Sequence, residues 1–278
     1  MKDVIKFSKF QGAGNDFIII DNRDGKLDSL SPYQISRLCN RQLGVGADGC
    51  LLLENSPIAD FRMVLFNSDG SKPRMCGNGL RCFKAYLTLM GYTKESYLIE
   101  VASEIYRATT LEDGAIGVEM RPAKILATAM PLLVEEESFT CDLIDTGVPH
   151  LVLFVDTLDE VPVMRLGPPL RSHSALSSEG ANVNFATLLS PYKLALRTYE
   201  RGVEAETLAC GTGATATAIS AALRAKRGGL YEVRVSSGAT LKINLTLEGA
   251  NIGAIFMSGP ASPVFHGEIS SDHLLQVS

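Results

Sequence analysis

MCGNGLRCFKAYLTLM (residues 75–90) and ACGTGATATAISAALRAKRGG (residues 209–229) share one plan: a cysteine, a glycine-rich turn and a run with helical periodicity. Each reads as a glycine turn entering an amphipathic helix, the second stopped by Gly228 and Gly229. The two leading cysteines, Cys76 and Cys210, lie 134 residues apart in a chain of 278, close to half its length. Strand-like runs repeat around both. KFSKF, FIIID, CLLLE and FRMVLF precede the first helix, and YLIEV, IYRATT and AIGVEM follow it. TCDLID, LVLFV, NVNFA and LALRTY precede the second, followed by EVRV, TLKINL and IGAIFM. The pattern predicts an α+β chain of two β-rich units, each wrapped around one central helix. They join near Arg121–Pro122, pack closely and share a cleft.

Composition removes several function classes. The net charge is −5 with no basic run, which argues against nucleic acid, whose binding needs clustered Lys and Arg. The N-terminal MKDVIKFSKF has no apolar leader, and CLLL and HLVLFV are too short to span a bilayer. The expectation is a cytoplasmic protein with no membrane partner. None of the six cysteines forms a CxxC pair, so neither a disulfide framework nor a zinc site is expected. Cys39, Cys50, Cys82 and Cys141 read as small buried hydrophobes.

The glycine loops do not read as nucleotide sites. GVGADG (residues 44–49) follows a helical stretch, residues 32–43, and precedes a strand, the reverse of a dinucleotide turn. GTGATA (residues 211–216) opens a helix but lacks the acidic residue about twenty positions on that a ribose needs. A cysteine at a helix start has better chemistry. The first-turn N–H groups lack intrahelical partners and carry the positive end of the helix dipole, so they stabilise a thiolate. Glycines let a carboxylate approach the same N–H groups.

Two such turns suit inversion at an amino-acid α-carbon. One group removes a proton from one face and a second delivers one to the other, while the turns stabilise the carbanion charge in the carboxylate. A thiol redox enzyme and a carboxylate-binding module are the rivals on the same residues.

The motifs resemble the diaminopimelate epimerase family. They are FQGAGNDF (10–17), FNSDG (66–70), MCGNGLRC (75–82), Pro149-His150, NVNF (182–185), and ERG (200–202) with TLACGTG (207–213), in order over nearly the whole chain. Proline racemases carry His in place of Asn in the first cysteine motif, and phenazine-type isomerases lack the cysteine pair. The resemblance implies two pseudo-symmetric β-barrel-like halves, residues 1–121 with 265–278 and residues 122–264, the last strand (266–269) returning to the first half. It implies a cofactor-free, metal-free isomerase of LL- and meso-diaminopimelate in lysine and cell-wall precursor synthesis, with Cys76 and Cys210 as bases. His150 and Glu200 match residues assisting the thiols. Gly77, Asn78, Gly211 and Thr212 match the turns holding the α-carboxylate. Asn15, Asn67, Asn182 and Arg201 match substrate-fixing side chains, with Glu200 also at the substrate. The partner is the small molecule itself, and a homodimer is left open.

The chain departs from the family pattern in three places. Val148 stands for a common Asn, Gly49 for a Gln found in some members, and RGVEAETLAC is one residue longer than usual, leaving Glu204 and Glu206 unassigned. These bear on substrate fit, and the alternative they raise is a broader racemase of acidic amino acids such as glutamate. His150 by itself reads as a core histidine and Asn15 as a turn former; His173, His266 and His273 carry no motif.

Overall fold

The computed structural model describes residues 4–249 and 251–271; His273 and the end of the 265–278 segment lie outside the described residues. The chain lays down β1 (Val4–Gly12), β2 (Asn15–Asp21), α1 (Pro32–Cys39), β3 (Gly49–Glu54), β4 (Phe61–Asn67), α2 (Gly77–Leu89), β5 (Ser96–Val101), β6 (Glu104–Thr110) and β7 (Ile116–Met120). There follow β8 (Lys124–Val134), β9 (Glu137–Asp145), β10 (Pro149–Phe154), α3 (Val163–Arg171), β11 (Asn182–Ser190), β12 (Lys193–Glu200) and β13 (Ala205–Thr207). Then come α4 (Gly211–Ala225), β14 (Gly229–Arg234), β15 (Thr240–Glu248), β16 (Asn251–Gly259) and β17 (Ser262–Ser270). The fold is α+β, and the chain divides into two units, Met1–Val118 with Pro260–Ser278, and Glu119–Gly259.

In the first unit the strands run β17-β1-β2-β3-β4-β5-β6-β7, and only β2–β3 and β4–β5 are parallel. In the second they run β8-β9-β10-β11-β12-β14-β15-β16, and only β10–β11 and β12–β14 are parallel. The two pairing orders are identical. A parallel pair needs a crossover, and helices supply it at matching places, α1 and α2 in one unit, α3 and α4 in the other. In the first unit β17, β1, β2, β4 and β6 all touch α2, so the sheet curls round that helix. In the second, β9 to β12 and β14 to β16 do the same round α4.

This enclosure corrects the expected amphipathic pattern. Ten residues of α2, from Gly77 to Leu87, are buried, including Arg81 and Lys84. Every residue of α4 from Gly211 to Ala222 is buried, and its Gly, Ala and Thr side chains let the strands approach closely. Lys84 keeps hydrogen bonds by donating to Thr88 and Thr110.

Three expected boundaries also shift. α1 stops at Cys39 rather than Leu43, because the Asn40 carboxamide oxygen accepts the N–H groups of Gln42 and Leu43 and turns the chain. α4 ends on Lys226 in the left-handed conformation (φ 49°), not on the glycine pair. Gly228 instead allows close approach of β15: a Cβ there would lie 2.8 Å from the Leu245 carbonyl oxygen. β17 is longer than residues 266–269, pairing with β1 from Ser262 to Ser270.

Gly44 separates steric need from backbone strain. A Cβ at Gly44 would sit 2.1 Å from the Arg37 carbonyl oxygen, whereas Gly238 (φ +85°) has open space around it. Gly44→Ala should cost about 3 kcal/mol or more, and Gly238→Ala about 1–2 kcal/mol from the left-handed backbone alone. Urea midpoints of the two variants check this; equal losses would show that the α1 turn yields freely.

Candidate functional site

Cys76 is the N-cap of α2, with extended backbone (φ −144°, ψ 108°), and its Sγ accepts the Gly79 N–H at 3.3 Å. The sulfur thus occupies the place of the usual Ser or Asp oxygen, and a thiolate there accepts more strongly than a thiol. Beside it, Asn78 donates through Nδ2 to Asn15 Oδ1 at 3.1 Å and accepts at Oδ1 from Arg81 Nη2 at 2.9 Å. The Cys76 thiol reaches the same Asn15 oxygen at 3.9 Å. Asn15 Nδ2 donates to Asp48 Oδ2 at 2.8 Å. Asn15 is therefore no turn former: Ala13 (φ 60°) and Gly14 (φ 93°) make the β1–β2 turn, and Asn15 opens β2.

A charged cluster fixes this corner. Arg41 grips both oxygens of Asp16 and also reaches Asp48, while Lys9 pairs with Asp16 at 2.8 Å. Burial alone would raise the Asp16 pKa, but hydrogen bonds from Arg41 and Lys9 outweigh it and hold the carboxyl at about 2. Asn67 lies apart from these contacts in its unit, exposed at the end of β4 and donating to Ser71 Oγ. Gly49 tolerates no larger residue, since a Cβ would come within 2.5 Å of the Phe66 carbonyl oxygen.

The second unit repeats the cap. Cys210 precedes α4 (φ −124°, ψ 109°) and its Sγ accepts the Gly213 N–H at 3.4 Å, with Thr212 Oγ1 also at 3.4 Å. Thr146 Oγ1 donates to the Thr212 carbonyl and ties the β9–β10 turn to the helix start. Val148 stands in that turn, its carbonyl accepting the Thr146 N–H. Asn182 bridges two strand ends: Oδ1 accepts the Arg201 N–H and Nδ2 donates to the Pro149 carbonyl. The Arg201 guanidinium pairs with Glu179 at 3.2 Å, and because Glu179 is 76% exposed, a ligand carboxylate can exchange for it. Glu200 accepts from Thr207 Oγ1 at 2.9 Å. Glu204 and Glu206 are now assigned: Arg171 holds the first, and Arg197 grips the second with two hydrogen bonds.

His150 is wholly buried at the start of β10. Burial, aided by the nearby Arg201 charge, pushes its pKa from 6.5 down to about 3, so the ring is neutral at ordinary pH. The four cysteines expected to be structural are buried, and desolvation raises Cys39, Cys82 and Cys141 to about 12 and Cys50 also upward. His266 bonds Ser8 and His173 faces the Leu133 carbonyl. Among the described residues no group of three or more His, Cys, Asp or Glu could hold a metal, and no helix is long and apolar enough to cross a membrane.

Sequence reasoning missed Asp48, Arg81 and Asn184, the last of which bonds His150. Arg81 had a faint signal, a charge on a face the helical period assigns to the core. Asn184 stood inside the NVNF motif with no role attached to it, and Asp48 had no signal.

The His150 shift fixes a pH dependence. As pH falls through about 6.5 the unfolded chain takes up a proton that the folded chain refuses until about 3. Stability from this group is thus complete above pH 6.5 and declines progressively below it. His150→Gln should flatten the loss of stability between pH 6.5 and 4 in denaturant titrations. Parallel curves for the two proteins would contradict the buried neutral ring.

The diaminopimelate epimerase family matches residues 7–126 and 143–264 of this chain. A diaminopimelate epimerase of Chlorobaculum tepidum is 39% identical over 262 residues, covering 93% of this chain and 99% of that protein. That of Aquifex aeolicus is 38% identical over 291 residues, covering 97% and 99%. Among solved structures, a hydroxyproline epimerase from Agrobacterium vitis has a TM-score of 0.75 at 15% identity, covering 98% of this chain and 94% of the other. A phenazine biosynthesis protein of the PhzF family from Bacillus anthracis scores 0.72 at 18%, covering 96% and 99%. At those identities the structures show a shared fold and nothing more. The length and identity of the sequence matches place the chain in a family: it belongs to the diaminopimelate epimerases.

Proposed function

We propose that this chain interconverts LL- and meso-diaminopimelate, using Cys76 and Cys210 as its two acid–base groups and neither PLP nor metal. The observation that carries the reading is the pair of cysteine-capped helices, each sulfur accepting the N–H three residues on, in a chain of this family. One thiolate takes the α-proton and the other thiol returns a proton to the opposite face; the roles exchange in the reverse direction. Charge spreading into the α-carboxylate is met by the first-turn N–H groups at Gly77–Asn78 and Gly211–Thr212. His150 and Glu200 assist the thiols. Asn15, Asn67, Asn182, Glu200 and Arg201 hold the substrate, Arg201 by exchanging Glu179 for a substrate carboxylate.

Diaminopimelate is preferred to glutamate because the curated relatives at 36–39% identity carry that name. The reaction belongs to lysine and cell-wall precursor synthesis and needs neither nucleic acid nor membrane; a cytoplasmic location and a homodimer are compatible with it.

Cys76→Ala and Cys210→Ala should each abolish net epimerisation, read by chiral chromatography, while Cys39→Ala and Cys141→Ala keep most of the turnover. In heavy water the natural enzyme should place deuterium at the α-carbon of diaminopimelate. Near-normal turnover by Cys76→Ala, or no exchange with the natural enzyme, would overturn the reading.

Two thiols and two helix termini suffice for this chemistry, so dialysed enzyme should keep its activity in EDTA and in hydroxylamine. Activity lost to either reagent and restored by metal or PLP would refute a cofactor-free reaction.

A further inference from the structure

Three adjacent strands of the second unit place His150, Asn184 and Thr198 side by side. His150 lies opposite Asn182 on the parallel neighbour β11, and Asn184 lies opposite Thr198 on the antiparallel neighbour β12. All three are buried, with 0%, 0% and 2% exposure. Asn184 Nδ2 lies 2.9 Å from the Leu151 carbonyl oxygen and 3.1 Å from His150 Nδ1, and Thr198 Oγ1 lies 3.0 Å from Asn184 Oδ1.

These contacts have one consistent set of protons. A carbonyl only accepts, so the NH₂ end of Asn184 must face Leu151. Its second N–H then points at His150 Nδ1, which must present a lone pair. Thr198 completes the arrangement by donating to the amide oxygen, which keeps the amide from flipping. The ring proton is therefore on Nε2, and that atom is buried with no hydrogen-bond partner among the described residues. A buried donor left open in this way costs free energy unless a ligand or reacting group takes it up. The amide also reaches the helix start, since a Cβ at Gly213 would lie 2.3 Å from Asn184 Oδ1 and 3.3 Å from Cys210 Sγ.

We propose that Asn184, held by Thr198, is a positioning residue that fixes His150 as a neutral imidazole with its proton on Nε2, so that His150 serves as a hydrogen-bond donor and not as a base. A base at Nε2 would need a lone pair there, which the Asn184 contact at Nδ1 denies to the neutral ring. The depressed His150 pKa agrees, since the ring stays uncharged in use. Arg201 is the charged group acting on the ring, and its partners from β11 and β12, Asn184 and Thr198, are neutral. The role at the reaction rests on the epimerase reading; the proton position does not.

The test is long-range ¹H–¹⁵N NMR of the full-length enzyme labelled with ¹⁵N-histidine at pH 7, paired with kinetics. The natural protein should show His150 with a pyrrole-like Nε2 and a pyridine-like Nδ1. In Asn184→Asp the new carboxylate accepts from the ring, so Nδ1 should gain a proton, and kcat should fall about 100-fold with KM nearly unchanged. Thr198→Val should blur the single tautomer and lower kcat less, and Thr198→Ser should restore both, which keeps the test alive if the aspartate variant does not fold. A protonated Nδ1 in the natural protein, or Asn184→Asp with unchanged kcat, would overturn the proposal. An inactive natural enzyme with the Nε2–H signature would leave the positioning intact and sink the epimerase reading instead.

Discussion

A helix buried on every side still has one outlet, its N-terminus, where the first N–H groups lack intrahelical partners. In α2 and α4 the sheets cover the flanks, and a cysteine sulfur meets the N–H three residues on, from Gly79 and from Gly213. The arrangement leaves the thiol in the field of the helix dipole, and the remaining first-turn N–H groups are suited to an anion. The small residues after each cysteine serve both ends. Glycine opens the turn to a ligand, and in α4 the Gly, Ala and Thr run lets the sheet close around the helix.

The two units share their strand pairing, parallel steps and crossover helices, yet their central helices differ in charge. With the cysteines in register, Arg81 of α2 corresponds to Thr215 of α4, and Lys84 to Ala218. Arg81 holds Asn78, which holds Asn15, which Asp48 holds in turn. The second unit orders its corresponding corner with neutral groups, Thr146 on Thr212 and Thr198 on Asn184. A buried guanidinium beside one thiol and hydroxyls and amides near the other give the two cysteines different surroundings within one repeated plan.

Elements with strong alternation or helical period were legible, among them β2 to β6, β10 to β12 and both central helices. β8 was not, because bulges between Ile125 and Met130 and a left-handed Ala129 break its period. α3 was hidden by Pro168 and Pro169 in its last turn, and it is held by Gly167, whose missing Cβ leaves room for the Tyr199 ring. The amphipathic reading of the central helices failed because period alone does not reveal that a sheet will cover the polar face as well.

By itself the sequence determined the duplicated plan, the two cysteine-led helix starts and the family, because these rest on local turn chemistry and on motifs contiguous in the chain. Only the tertiary structure decided which groups stand behind them. Asp48 reaches Asn15 across 33 residues, Asn184 reaches His150 across 34, and Glu206 is claimed by Arg197 while Glu204 is claimed by Arg171. Such pairs are set by strand register and by the curl of a sheet round a helix, and no local stretch of residues encodes either one.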